Sequence, residues 1–408
     1  MLKKDNGISR RSFIKAAGCA GVGSVLAPLA GASRASAAAP LQAAEPTGVA
    51  TRTFGRSGIQ VPILSLGGMF DIPSNQTLLK QAISWGVTYW DTAHVYNGGR
   101  SEEGIGQFFE RYPEERQKIF LVTKSTARNG RGMSRDLATS LQRMNTEHID
   151  LFFVHAVSSA GEMDSGMRAR AAEQKAAGRI RLFGFSTHSN MDRCLLDAAR
   201  LDWIDGIMMT YNFRIMHEEK MKQAVAACVD AGIGLTAMKT QGGGAVSTAS
   251  SRELELAGRF LQKGFSDTQA TLKAVWESPQ ISSNCSQMPT MSILMANIAA
   301  AVDRTSLTEN ERRHLERYAR ETFSHYCAGC SQICENAVAG KLPVGDVMRY
   351  LMYARSYGDR QDARRRFAAI PHAVRQELTG QDYSLAEARC PRRLPIARLM
   401  GEAVRELA

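Results

Sequence analysis

Along the chain, short apolar runs alternate with segments whose apolar positions recur every three or four residues. The runs fall at 63–67, 87–91, 119–123, 149–154, 181–185, 206–210, 233–238 and, with a weaker pattern, 281–285. Four of the intervening segments, 76–85, 102–110, 134–144 and 167–177, carry one apolar face; in the first it is Leu78, Leu79, Ala82 and Ile83. Runs apolar on both faces and separated by amphipathic helices predict a parallel sheet covered by helices on its outer side. Eight such units over about 250 residues predict an α/β fold of the (β/α)8 TIM-barrel type. A hairpin at 51–61, turning at Arg56-Ser57-Gly58, precedes it. An open doubly wound sheet calls for Gly-x-Gly-x-x-Gly after the first strand, and Gly67-Gly68-Met69-Phe70 lacks that pattern.

In such a barrel, residues closing the strands converge on one face. The second run ends at Asp91 and is followed by Tyr96; the third is followed by Lys124 and the fourth by His155. A carboxylate, a phenol, an ammonium and an imidazole at successive strand ends predict one proton-transfer site.

The ends of the chain behave differently. Ser9-Arg10-Arg11-Ser12-Phe13 precedes a mild Ala/Gly stretch and small-residue cleavage sites near Ala39, so 1–39 reads as a twin-arginine export signal and 40–50 as a linker. This predicts export to the periplasm, through the twin-arginine machinery, of a mature protein without a membrane span. The formal charge is +11, but the first 39 residues supply +5 of it, leaving +6 for the rest. No nucleic-acid motif accompanies Arg364-Arg365-Arg366 or Arg392-Arg393, which read as solvated helix faces with no nucleic-acid partner. From about residue 305 the pattern turns helical, with Cys327, Cys330 and Cys334 on one tight turn and Cys390-Pro391 returning a fourth thiol. Four thiols suit an iron-sulfur cluster, a zinc site or, in an exported chain, disulfides.

Between residues 52 and 302 the chain resembles the aldo-keto reductases. The resemblance rests on Asp91-Thr92-Ala93 with Tyr96, Ser101-Glu102, Val122-Thr123-Lys124, His155, Gly184-Phe185-Ser186, Tyr211-Asn212 and Ala237-Met238-Lys239 before Gly242-Gly243-Gly244. It implies hydride transfer between NADP(H) or NAD(H) and a small carbonyl or alcohol substrate. Tyr96 is then the acid, with its pKa lowered by Lys124; Asp91 holds Lys124, and His155 orients the substrate oxygen. Ser186, Tyr211, Met238, Lys239, Gly242, Gly243 and Asn297 are the implied cofactor contacts. Thr187 and Met208 replace the amides usual in the family at the nicotinamide carboxamide. Pro289 stands where a cation usually meets the 2′-phosphate, and proline offers no such pairing. The tail, 305–408, resembles the iron-sulfur domain appended to one branch of the family, which implies one 4Fe-4S cluster on Cys327, Cys330, Cys334 and Cys390 and an electron-transfer partner. The alternative is a non-catalytic electron-transfer or partner-binding protein that keeps the barrel and binds no nucleotide.

Overall fold

Strand β1 (Thr51–Thr53) pairs antiparallel with β2 (Gln60–Pro62) across a turn in which Gly58 is left-handed. This is the predicted hairpin, and it closes one end of a barrel. The computed structural model describes residues 48–240, 267–303, 305–321, 326–338, 342–356 and 360–408. The export segment 1–39, most of the linker, and Gly242 and Gly243 lie outside the described residues.

Eight parallel strands follow: β3 (Leu64–Gly67), β4 (Tyr89–Asp91), β5 (Phe120–Ser125), β6 (Ile149–Val154), β7 (Ile180–Thr187), β8 (Gly206–Thr210), β9 (Gly234–Met238) and β10 (Ser283–Gln287). They close in the order β10-β3-β4-β5-β6-β7-β8-β9. Every residue of β6 is buried, because alternate side chains face two different cores. Leu151 and Phe153 join Tyr89, Phe120, Val122 and Met208 inside the barrel, while Phe152 and Val154 join the layer under the helices. Phe54, from the hairpin turn, is fully buried among the interior residues. Gly206 and Gly234 leave it room: a Cβ on either would come within 2.8 Å or 2.5 Å of its ring. One barrel end is thus plugged, and the other is free for chemistry.

The last strand departs from expectation. It begins at Ser283, two residues later than predicted, and carries Ser-Asn-Cys-Ser-Gln rather than an apolar run. Its place is fixed by pairing with both neighbours, Asn284 against Leu64 and Ser283 against Thr236, and by the Ser283 hydroxyl donating to Pro62 O at 2.7 Å.

Beyond the barrel the described residues are helical. Helices Val344–Ser356, Arg360–Ala368 and Ile396–Leu407 enclose a second apolar core that includes Leu351, Phe367, Leu378, Leu399 and Met400. In the last of these helices the buried residues Ile396, Leu399, Met400, Ala403 and Leu407 follow the three-and-four spacing of a single apolar face. Among the described residues no helix is long and apolar enough to cross a membrane.

The C-terminal helices dock onto the barrel through the cysteine turn. Gly329, at φ 80°, lies so close to the loop after β7 that a Cβ would stand 2.4 Å from His188 O. Asn190 N donates to Gly329 O at 2.7 Å, and the Ser331 hydroxyl reaches Ser189 Oγ at 3.2 Å. Arg392 corrects the expectation of a solvated face. It is 2% exposed, paired with Glu218 and 5.8 Å from the Tyr326 ring centroid, because docking covers it. Arg364, Arg365 and Arg393 are exposed, as expected.

Candidate active site

Asp91 closes β4, and Lys124 lies on β5, the neighbouring strand. Parallel pairing therefore sets the two side chains together at the open end. Lys124 Nζ donates to both Asp91 carboxylate oxygens at 2.6 Å and to Thr92 O at 2.7 Å. Three acceptors match the three donors of an ammonium, which fixes the pair as carboxylate and ammonium. Burial pulls Lys124 down, but attraction to Asp91 and the Tyr96 phenol outweighs it and leaves its pKa raised. Cys285, on β10, places its thiol 3.8 Å from Asp91 Oδ2.

Tyr96 opens a short turn, Tyr96–Gly99, in which Asn97 is left-handed at φ 50° and donates through Nδ2 to Phe70 O at 2.9 Å. That bond ties the phenol's loop to the loop after β3. Lys124 Nζ lies 5.0 Å from the centroid of the Tyr96 ring. The lowered phenol pKa expected from the sequence is not found. Tyr96 keeps some exposed surface, yet burial pushes its pKa up to about 12 against the downward pull of Lys124. Desolvation of a phenolate outweighs one neighbouring cation here.

His155 follows β6, and its ring packs edge-on against Tyr96 with centroids 5.7 Å apart. Burial, followed by the charge of Lys124, holds its pKa well below the usual histidine value, so the ring is neutral. Its Nδ1 is buried without a hydrogen-bond partner. All four residues singled out from the sequence thus meet at one end of the barrel.

The expected cofactor contacts are spread more widely. Ser186, on β7, accepts a bond from Ala156 N at 3.0 Å, which uses an oxygen lone pair and leaves the hydroxyl proton to donate. Met238 closes β9, partly exposed, packed on the barrel interior. The Tyr211 hydroxyl pairs with Ser278 Oγ at 3.2 Å, and Asn297 Nδ2 donates to Ser286 Oγ at 3.0 Å. Lys239 is left-handed at φ 56°, with Nζ 2.7 Å from Nδ1 of His188. The orphaned His155 Nδ1, the Ser186 hydroxyl proton and the partly exposed Met238 are the groups this end of the barrel would offer to a polar carbonyl compound beside a flat nicotinamide ring.

Cys327, Cys330, Cys334 and Cys390 line one cavity with Pro391, Leu394 and Ile396. All four are free thiols, so the disulfide alternative is not formed. Burial pushes Cys327 up to about 11 and Cys330 up to about 12. Among the described residues no group of three or more histidine, cysteine, aspartate or glutamate side chains is gathered so as to hold a metal ion. Cys194 and Cys228 are buried, as expected of packing thiols, whereas Cys285 touches the Asp91 carboxylate.

The C-terminal helices bring two cations toward the mouth: Arg349, which sequence reasoning missed and which lines a cavity with His188 and Lys239, and Arg366, half-buried and 5.9 Å from the Tyr353 ring centroid, which corrects the expectation of a solvated face. They lie outside the strand-end pattern, and no spacing in the sequence ties them to it.

A closed parallel barrel with a strand-end polar cluster at its open end places the chain in the (β/α)8 class. The chain belongs to the aldo/keto reductase family, whose signature it matches over residues 64–308. It is 25% identical over 216 residues to the uncharacterized oxidoreductase YrpG of Bacillus subtilis, covering 47% of this chain and 66% of that one. It is also 25% identical over 232 residues to the aldo-keto reductase AMT2 of Alternaria alternata, covering 46% and 63%. The chain thus spans less than two thirds of the length of these curated relatives. The thermostable aldo-keto reductase Tm1743, solved with epalrestat, superposes with a TM-score of 0.56 at 23% identity, covering 66% of this chain and 99% of that one. Aldo-keto reductase AKR11C1 of Bacillus halodurans gives 0.55 at 21% identity, covering 66% and 96%. At these identities the two solved structures speak for the fold.

Proposed function

We propose that the protein reduces a small carbonyl compound, or oxidises the matching alcohol, with Tyr96 as the acid and base. The observation that carries this is the convergence of Asp91, Tyr96, Lys124 and His155 on one barrel mouth. A phenol whose pKa is about 12 holds its proton at neutral pH and can donate it to a developing alkoxide. The Lys124 ammonium then stabilises the phenolate left behind, and Asp91 keeps that ammonium charged and in place. Neutral His155 has hydrogen-bonding capacity to spare for the substrate oxygen. A nicotinamide held by Ser186 and Met238, with Lys239, Tyr211 and Asn297 around its remainder, would supply hydride to the carbonyl carbon.

Replacing Tyr96 by Phe is expected to lower kcat for carbonyl reduction by roughly 10²- to 10⁴-fold at unchanged melting temperature. Full activity in that variant overturns the assignment. Fluorescence titration with NADPH and NADH decides the nucleotide; binding of neither favours the electron-transfer or partner-binding reading.

The cavity lined by four cysteines supports a second element of the proposal, one 4Fe-4S cluster on Cys327, Cys330, Cys334 and Cys390. Among the described residues no metal-ligand group is gathered for either zinc or a cluster, so metal content decides between them. Anaerobically purified full-length protein is expected to contain iron and labile sulfide; zinc alone, or no metal, rejects the cluster. Residues 1–39 support export through the twin-arginine route, and replacing Arg10 and Arg11 by lysine is expected to retain the chain in the cytoplasm.

A further inference from the structure

A second cavity lies beside the tetrad, walled half by the barrel and half by the C-terminal helices. His188, Thr210 and Lys239 line the barrel side, and Tyr326, Arg349 and Met352 the other. None of the four tetrad residues lines it, but His188 links it to them: its ring lies 6.3 Å from that of His155, which in turn packs on Tyr96. Lys239 Nζ is 2.7 Å from His188 Nδ1 and 5.0 Å from the centroid of the Tyr353 ring, and the Arg366 guanidinium lies 5.9 Å from that same ring. Positive charge is concentrated here. Lys239, Arg349 and Arg366 come from three different elements, with Lys124 beyond them. The acids nearby are Asp346, which pairs with Arg349, Asp362 with Arg366, Asp91 with Lys124, and Glu335, whose Oε1 accepts from Gly345 N at 3.0 Å. Asp346 is 43% exposed, so solvent screens its share of the field.

We propose that this cavity binds the carboxylate of a ligand between Lys239 and Arg349 with His188 beside it. The energetics agree with the geometry. Burial, then Arg349, Arg366 and Lys124, hold Lys239 well below the ordinary lysine pKa, and an incoming anion reverses that repulsion. Binding of an anion therefore raises the Lys239 pKa again. Arg349 belongs to the helix Val344–Ser356, outside the segment that matches the family, so the C-terminal unit completes the site. Joined to the reading of carbonyl reduction, on which this consequence rests, the site selects carbonyl compounds that carry a carboxylate. The anion then meets Arg349 and Lys239 while the carbonyl faces Tyr96 and His155.

The test is calorimetric titration of the full-length protein with oxamate and, separately, with inorganic pyrophosphate, in buffers of different ionisation heat. Oxamate is expected to bind, with any proton uptake read from the buffer dependence, and Arg349→Gln and Lys239→Met each weaken that binding by about tenfold or more. Arg349→Lys retains part of the affinity and serves where Arg349→Gln unfolds. Preference for oxamate assigns the site to a substrate carboxylate, and preference for pyrophosphate returns Lys239 to the cofactor reading and overturns the proposal. No binding of either probe to the unmodified protein, or affinities within about twofold in both Arg349→Gln and Lys239→Met, overturns the proposal. No turnover enters the measurement, so loss of the carbonyl-reduction reading through active Tyr96→Phe leaves this result interpretable.

Discussion

The tetrad and the four-thiol cavity are each assembled from residues far apart in sequence, yet they are held by different means. Asp91 and Lys124 stand on adjacent strands of a closed sheet, and each donor of the ammonium meets an acceptor. Cys327 and Cys330 stand on a turn, Cys334 lies not on that turn, as the sequence predicts, but on the short helix Ser331–Glu335, and Cys390 ends another, Ser384–Arg389, against Leu394 and Ile396. One region is fixed by backbone ladder and charge, the other by apolar packing and by contact with its neighbour. A polar site on strand ends carries its own rigidity, whereas a cavity among loops depends on the docking of the unit that bears it.

The largest effect separating the two regions is expected at the ion pair. Asp91→Ala leaves a buried ammonium without its carboxylate, which costs about 3 to 5 kcal/mol of barrel stability by urea denaturation. A loss below about 1 kcal/mol would mean that Lys124 is not held by this pair. Next comes the seam. Gly329→Ala places a Cβ against His188 O at a left-handed residue, and is expected to cost about 1 to 3 kcal/mol, read as earlier proteolysis of the C-terminal helices with the barrel transition unmoved. If the barrel transition moves with it, the two regions are a single cooperative unit and the contrast fails. The smallest effect is the pH dependence of the mouth. His155 and His188 are held neutral in the fold, mainly by burial, while the unfolded chain protonates near its ordinary value of 6.5. The unfolded state therefore binds more protons below that pH, so stability is level above about 6.5 and falls as pH drops, by at most about 1.4 kcal/mol per unit for each histidine. Melting temperatures from neutral to mildly acid pH check this, and His188→Gln is expected to flatten the slope.

Much of the barrel was legible because strands buried on both faces are mostly apolar, as 151–154 and 207–209 are. The tetrad was legible because strand ends converge in this topology, so four polar residues at successive ends could be read as one site. β10 resisted the same reading. Its Ser-Asn-Cys-Ser-Gln has no apolar period, and only two flanking strands make it a strand. Arg392 resisted for the opposite reason, since a doublet of arginines reads as solvated until another unit covers it.

The sequence by itself determined the barrel, the order of its strands and which ionisable residues stand at its mouth, because local periodicity and strand ends carry that information. The tertiary structure alone decided the charge states and neighbours there. Burial raises Tyr96 where a neighbouring lysine alone would lower it, and docking brings Arg349 to Lys239 across more than a hundred residues of chain. Desolvation and long-range contact depend on what packs around a residue, and no local pattern records that.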